Sequence, residues 1–292
     1  MGEWQRELWQ LLVFRSESAR GNPTGVLLGP PISGGTDGQS IASRLGFPDS
    51  VFVWPGTNCW ETRAFSPSEE LSFCSQALIG ASAVLRRAGS VPTAGSISFL
   101  AGDCLVQVNS AGWGPQDVHW LEMPHAQISV QRSRSSLSEY LHLPTGTRPE
   151  IVLDAGRRRV YRLLDSLEAL KAIAVSPDQV MRYCLSAGIH GICFLSVDSE
   201  DSISLRVFTA SLDGHEDSAT GGAAAALPEY LLQLGIGRPA GHVWLVNQGA
   251  GPLHRRGSLW VRRDADGGVQ IGGCVQFVAR GMLLPEVLEE QE

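Results

Sequence analysis

Several things are missing from this 292-residue chain, and each absence removes a class of function. No apolar run approaches the roughly 20 residues that cross a bilayer as a helix. The first residues, MGEWQRELWQLLVF, lack the basic-then-apolar order of a secretory signal. No membrane partner is expected, and the cytoplasm is the expected compartment. A basic excess is also missing: 23 Lys and Arg stand against 30 Asp and Glu, for a net charge of −7. Phosphate backbones need a basic face, so nucleic acid is disfavoured as a partner. The six cysteines at 59, 74, 104, 184, 193 and 274 form no CxxC pair and are read as thiols. There is no GxSxG elbow, no Gly-Lys-Ser/Thr phosphate loop, and no GxGxxG after a strand. The seven histidines are scattered without metal-ligand spacing. Neither a metal nor a nucleotide cofactor is expected.

What is present is an ordinary globular composition, 43% apolar and 18% charged, with 33 glycines that suggest tight turns and close backbone approaches. The length suits one large domain or two of about 140 residues. ELWQLLVFRS and GVLLG read as strands around the turn RGNPT. TDGQSIASRLGF reads as a short helix with Thr36 or Asp37 near its N-cap. SVFVWPG and CWETRAFS are β-rich, ALIGASAVLRRAG is helical up to Gly89, and SISFLAGDCLVQVNSAG with DVHWLEMP reads as hairpin strands. The Ser-, Arg- and Pro-rich segment 129–150 reads as a linker with a short helix inside. Arg157-Arg158-Arg159 reads as a solvated turn at the start of a strand. Beyond it come the helix SPDQVMRYCLSAG, the strands GICFLSV and SISLRVFTA, and the helix ATGGAAAALPEYLLQLG, perturbed by Pro228. The last strands are HVWLVNQG, GSLWVRRD and GVQIGGCVQFVARGML.

The two halves repeat each other. ETRAFSPSEELSFCSQALIGASAVLRRAG carries Arg63, Phe65 and Ser66, and SLRVFTASLDGHEDSATGGAAAALPEYLLQLG carries Arg206, Phe208 and Thr209. Each runs from a strand through Arg-x-Phe-Ser/Thr and an acidic loop to a small-residue helix. A helix with no polar face is a buried helix, and the strands around it supply the container. The expected fold is α+β, with two pseudo-symmetric lobes, each a curled, mostly antiparallel sheet wrapped around a central helix. The expected division is 1–127, completed by the last strand at about 278–284, and 128–277. The two helix starts are expected to meet in a cleft, where free N–H groups would hold a carboxylate. Glu69 and Glu70 read as solvated charges near the first helix, and His215 as a loop residue rather than a ligand.

RGNPTGVLL, IASRLGFPDSVFV, TRAFSPSEELSFCSQALIGASAVL and HEDSATGGAAAAL occur in this order and spacing. Together they resemble the PhzF-like phenazine biosynthesis protein family, related to diaminopimelate epimerase and proline racemase. The resemblance implies the diaminopimelate epimerase-like fold, a homodimer, and cofactor-free acid/base chemistry beside a carboxylate. The family's glutamate falls on Asp49, one methylene shorter. Its histidine falls on Gln76, which can orient a carboxylate or carbonyl but cannot titrate. Its aspartate is kept as Asp217, and its serine falls on Gly222. Cys74 aligns with the catalytic cysteine of the racemase relatives, with Thr220 where they carry a second one. A thiol at a helix start is expected to have a lowered pKa.

The catalytic candidates are therefore Asp49, Cys74, Gln76 and Asp217. The substrate-binding candidates are Asn22, Ser75, Thr220, Gly221, Gly222, Gly272 and Gly273. The leading reading is a cofactor-independent isomerase with Asp49 as general base. It would shift a proton and double bond in a small, unsaturated, cyclic amino-acid-like carboxylate of a specialised, antibiotic-type pathway. Two others stay open: a Cys74-dependent epimerase or dehydratase of a proline-like amino acid, and a family member that binds a metabolite without turning it over.

Overall fold

The computed structural model describes residues 6–32, 35–112, 114, 116–124, 129–132, 136–143, 148–251 and 256–284. Its chain divides into two compact units. Unit 1 comprises Met1–Arg15, Asn22–Pro124 and Gly272–Glu292, and unit 2 comprises Ser16–Gly21 and His125–Ile271.

Unit 1 contains β1 (Glu7–Val13), β2 (Asn22–Leu28), α1 (Gly35–Leu45), β3 (Asp49–Pro55), β4 (Trp60–Phe65), β5 (Glu70–Leu71), α2 (Ser75–Arg87), β6 (Gly95–Ala101), β7 (Cys104–Ser110) and β8 (His119–Glu122). The chain's last described strand, β18 (Val275–Met282), also belongs to unit 1, and lies antiparallel to β1. The strand order is β18–β1–β2–β3–β4–β6–β7–β8, with β5 hydrogen-bonded to β4. Two pairings, β2–β3 and β4–β6, are parallel, and the others are antiparallel. Helix α2 is buried from Ser75 through Arg86 and touches β1, β2, β3, β7, β8 and β18. Its small residues permit this. A Cβ on Gly80 would stand 3.2 Å from Leu11 Cδ1, so any larger residue there would push the sheet away.

Unit 2 contains β9 (Ser129–Arg132), α3 (Leu137–Leu141), β10 (Ile151–Asp154), β11 (Arg158–Leu163), α4 (Leu167–Lys171), α5 (Pro177–Ala187), β12 (Gly191–Val197), β13 (Ser202–Thr209), β14 (Glu216–Asp217), α6 (Gly221–Ala225), α7 (Leu227–Gln233), β15 (Val243–Gln248) and β16 (Gly257–Arg263). The strand order is β9–β10–β11–β12–β13–β15–β16, with β14 on β13 and parallel pairing at β11–β12 and β13–β15. Strand β17 (Val269–Gly273) runs across the boundary between the units. The α+β class, with a sheet wrapped around a small-residue helix, is thus as expected. The parallel and antiparallel pairings follow the same sequence in both units, as a duplicated unit requires.

The repeat holds at the level of contacts. In unit 1, Arg63 Nε and Nη2 each donate to Glu70 at 2.6 Å, and the guanidinium lies 5.2 Å from the Phe65 ring centroid. In unit 2, Arg206 Nε and Nη2 donate to Glu216 at 2.9 and 2.8 Å, with the guanidinium 5.1 Å from Phe208. Each phenylalanine meets a second ring edge-on, Phe52 in one unit and Phe194 in the other. Phe52 pairs with Arg63 across β3–β4, and Phe194 with Arg206 across β12–β13. Glu70, read from sequence as a solvated charge, is therefore one jaw of a bidentate clamp.

Segment 129–150 is not only a linker. Ser129–Arg132 pairs with β10 as an edge strand, and four residues without alternation give no periodic signal. The expected short helix is α3, capped by Ser136. Pro228 splits the alanine helix into α6 and α7, because a proline cannot donate to the preceding turn. Helix α5 closes as expected on a left-handed Gly188, and all six cysteines are free thiols.

The two clamps differ in exposure. The side chains of Arg206 and Glu216 are 11% and 24% exposed, against 24% and 43% for Arg63 and Glu70. Arg206 also donates to the carbonyls of Leu170 and Ile173. Glu216→Ala is expected to cost about 2 kcal/mol, and Glu70→Ala under about 1 kcal/mol, in urea unfolding. Equal losses would contradict the difference in burial. A second expectation concerns acid. His119 is buried and bonded to Ser82, and burial lowers its pKa from 6.5 to about 4. The unfolded chain takes up that proton first, so stability is full above pH 6.5 and falls as the pH drops towards 4. The loss is up to about 3 kcal/mol. Unfolding midpoints at pH 7 and 4.5 measure it, and an NMR titration placing His119 near 6.5 would refute it.

Candidate active site

In unit 1 the candidates gather where β2, β3 and the start of α2 converge. Asp49 is the first residue of β3, paired with Thr24 of β2, and Cys74 is the N-cap of α2. The two side chains meet: the thiol is hydrogen-bonded to the Asp49 carboxylate and lies in its field. Cys74 is half-buried as a residue, but its sulfur is desolvated. Burial and then the Asp49 charge push the thiol pKa well up, against weaker opposition from the N–H groups of Ala77 and Gln76. The expectation of a lowered pKa is therefore reversed. A carboxylate beside a desolvated sulfur disfavours a second negative charge. The proton stays on sulfur, and the S–H donates to Asp49.

Gln76 and Asn22 also meet, in a network closed within the protein. Gln76 Nε2 donates to Thr24 Oγ1 at 2.8 Å and to the Pro23 carbonyl at 3.2 Å, while its Oε1 accepts from Asn22 Nδ2 at 2.9 Å. A backbone carbonyl can only accept, which fixes the amide orientation. Gln76 and Asn22 are 4% and 5% exposed, and Thr24 is fully buried. Both amide hydrogens of Gln76 are thus occupied in fastening the Gly-Asn-Pro turn to α2. Ser75 is buried at the same helix start. Gly272 and Gly273 make room for rings: a Cβ on either would lie 2.7 Å from Val118 or Phe14, with Trp120 close behind the first.

In unit 2 the site residues lie on the loop from β14 into α6. Thr220 is the N-cap of α6, and its hydroxyl donates to Asp217 Oδ2 at 2.5 Å. Gln248, at the end of β15 and 1% exposed, locks this loop from below. Its Nε2 donates to the Asp217 carbonyl and to Thr220 Oγ1, and its Oε1 accepts from Thr220 N, all at 2.9 Å. Burial raises the Asp217 pKa. The Thr220 hydroxyl, the N–H groups of Ala219 and Ser218, and the charge of Arg159 recover only part of that shift. Gly221 and Gly222 open the helix with no side chains, and the guanidinium of Arg159 faces Gly222.

Arg159 corrects the reading of the basic cluster as a solvated turn: it is 5% exposed. It is the second residue of β11, and strand alternation puts it on the same face as Tyr161 and Leu163, also buried. That parity was available in RRRVYRLL, although a run of three arginines obscured it. Gln248 and Thr24 were also missed, since a buried glutamine at a strand end carries no local signature. Among the described residues no His/Cys/Asp/Glu group could hold a metal ion, and no helix is long and apolar enough to cross a membrane. Cavities of about 560 Å³ and 220 Å³ border the clamp arginines of units 1 and 2, and Cys74 lines the first. Neither Asp49 nor Asp217 lines them.

Curated relatives span the chain. An uncharacterised isomerase of Pseudomonas aeruginosa is 26% identical over 279 residues, covering 96% of this chain and 98% of its own. One of Bacillus subtilis is 22% identical over 274 residues, covering 90% and 92%. Among solved structures, a PhzF-family phenazine biosynthesis protein of Bacillus anthracis superposes with a TM-score of 0.80 at 18% identity, covering 96% of this chain and 99% of its own. A hydroxyproline epimerase of Agrobacterium vitis, with bound trans-4-hydroxy-L-proline, gives 0.63 at 14%, covering 97% of both chains. Both share the fold. The family described as phenazine biosynthesis-like protein, PhzC-PhzF, matches residues 11–281. With its repeated units and the motifs at both helix starts inside that span, the chain belongs to the phenazine biosynthesis-like (PhzC-PhzF) family.

Proposed function

We propose that the protein is an isomerase that moves a proton, and with it a double bond, along a small, unsaturated, amino-acid-like carboxylate, without a cofactor. The reading is carried by the contact between Asp49 and Cys74. Of two adjacent acids, one must hold the proton, and burial with the Asp49 charge puts it on sulfur. Asp49 is then the anionic member and the base. It breaks a C–H bond acidified by the neighbouring unsaturation, and the electron pair enters the conjugated system. The proton of the resulting Asp49 carboxylic acid exchanges with water, and the acid then delivers one proton to the distal carbon, so the step balances and leaves the enzyme unchanged. The Cys74 S–H orients the carboxylate in the meantime. Gln76 positions the turn and the helix start rather than transferring a proton. In unit 2, Asp217 is held with its pKa raised on a loop braced by Gln248 and Thr220. The relatives named isomerases support this reaction class. A homodimer working in a specialised biosynthetic pathway completes the reading.

The expected outcome is that Asp49→Asn abolishes solvent-deuterium incorporation into a turned-over substrate, with a loss of about 100-fold or more. Cys74→Ser keeps a hydroxyl donor and is expected to retain activity within about tenfold. Mass spectrometry in D2O reads both. The opposite ranking would replace Asp49 by Cys74 and make the protein an epimerase or dehydratase. Binding without exchange in the wild type would remove the enzyme reading.

A further inference from the structure

The buried arginines are held in different ways: Arg6 donates to the Pro31 carbonyl at 3.3 Å with its guanidinium over the Phe52 ring. Arg206 holds Glu216 and two carbonyls, Arg86 donates to the carbonyls of Pro92 and Gly95 at 2.8 and 2.6 Å, and Arg162 reaches Ser138 and Glu150. Arg159 Nη1 donates to the Arg157 carbonyl at 3.3 Å, and its Nε, like those of Arg86 and Arg162, is buried with no partner, so Arg159 differs from them at its Nη groups. Its charge reaches Asp217 through space, and no ion pair joins them among the described residues. A guanidinium taken out of water without a carboxylate is costly to keep. Burial and the charges of Arg157 and Arg159 together lower the His190 pKa to about 4, so among the described residues no anion offsets those charges there.

The internal repeat supplies an independent argument. In the β2–β3 register Thr24 pairs with Asp49, and the second residue of α2, Gln76, reaches across to Thr24. In the matching β11–β12 register Arg159 pairs with Gly191, and the second residue of α6 is Gly222. Unit 1 has a long amide on the helix and a short hydroxyl on the strand. Unit 2 has a long cation on the strand and no side chain on the helix. A Cβ on Gly222 would stand 3.6 Å from Arg159 Nη1 and 4.0 Å from Nη2. The bare helix start thus sets no side chain of its own against the buried guanidinium, where unit 1 has Gln76 bonded to Thr24.

We infer that Arg159 is a specificity-determining residue that binds the anionic group of the ligand, a carboxylate, at the Gly222 side of α6. The choice of a carboxylate rests on the isomerase reading above, whereas the need for an anion does not. A guanidinium can meet a carboxylate with two N–H groups, which a backbone carbonyl cannot use fully.

The test titrates the full-length protein with sodium acetate and follows arginine Nε–H resonances by NMR, with acetamide as the uncharged twin. Arg159→Lys assigns the Arg159 signal by its disappearance. A saturable shift of Arg159 with acetate, and none with acetamide, is expected. An Arg159 signal that does not respond, or responds equally to both, overturns the inference. Gly222→Ala adds a methyl at ordinary contact distance, so it should fold, and it should weaken acetate binding about tenfold. Unchanged affinity would refute the placement beside Gly222. Inorganic phosphate binding more tightly than acetate would refute the carboxylate. These readouts do not involve turnover. Acetate bound through Arg159 with no deuterium exchange in any substrate would sink the isomerase reading alone, and the converse would sink this one alone.

Discussion

The bidentate contact between an arginine on one strand and a glutamate on a two-residue strand is the constraint on which both halves of this protein depend. Arg63 with Glu70, and Arg206 with Glu216, fix the point from which the chain turns into α2 or α6. The planar guanidinium accepts one orientation of the carboxylate, and the phenylalanine beneath it fixes its height. Four residues beyond each glutamate stands the N-cap, Cys74 or Thr220. A strand of two residues cannot hold its own register, so the ion pair sets where those side chains arrive.

On this shared frame the two units carry different chemistry at matched places. Asp49 corresponds to Gly191, Cys74 to Thr220, and Gln76 to Gly222. Unit 1 presents a carboxylate and a protonated thiol. Unit 2 presents Asp217 and a cation. Each helix start is held by a buried amide, Gln76 in one unit and Gln248 in the other, with its donors and acceptor engaged. Such closed networks cost little when every group is satisfied, and they remove freedom from the residues they hold. Reacting groups held in this way lose less entropy when a substrate arrives.

Most of the fold could be read from the sequence because its signals are local. Small-residue helices, Gly stops, the Ser-Pro-Asp opening of α5 and the Arg-x-Phe repeat each show within about a dozen residues. The elements that escaped, β5, β9, β14 and α4, are two to five residues long and owe their shape to partners distant in sequence. The site was less legible for the same reason. Asp217 stood out as an acid before a small-residue helix, whereas Asp49 and Cys74 were singled out through the family resemblance. The direction of the Cys74 shift depends on a carboxylate from another strand, which no local rule supplies. Gln248 lies 28 residues from the threonine it braces, and Arg159 sat inside a run of charges that suggested solvent.

The pairing of β1 with β18 has a consequence for how the protein is made. Strand β18 leaves the ribosome after all of unit 2, yet it lies beside the first strand of unit 1. During synthesis the N-terminal sheet must wait with one edge open, while the segment translated after it already has what it needs to fold. An unpaired hydrophobic edge attracts other strands, so the edge of nascent β1 stays open to wrong partners until β18 arrives. This order also gives β18 the role of a latch.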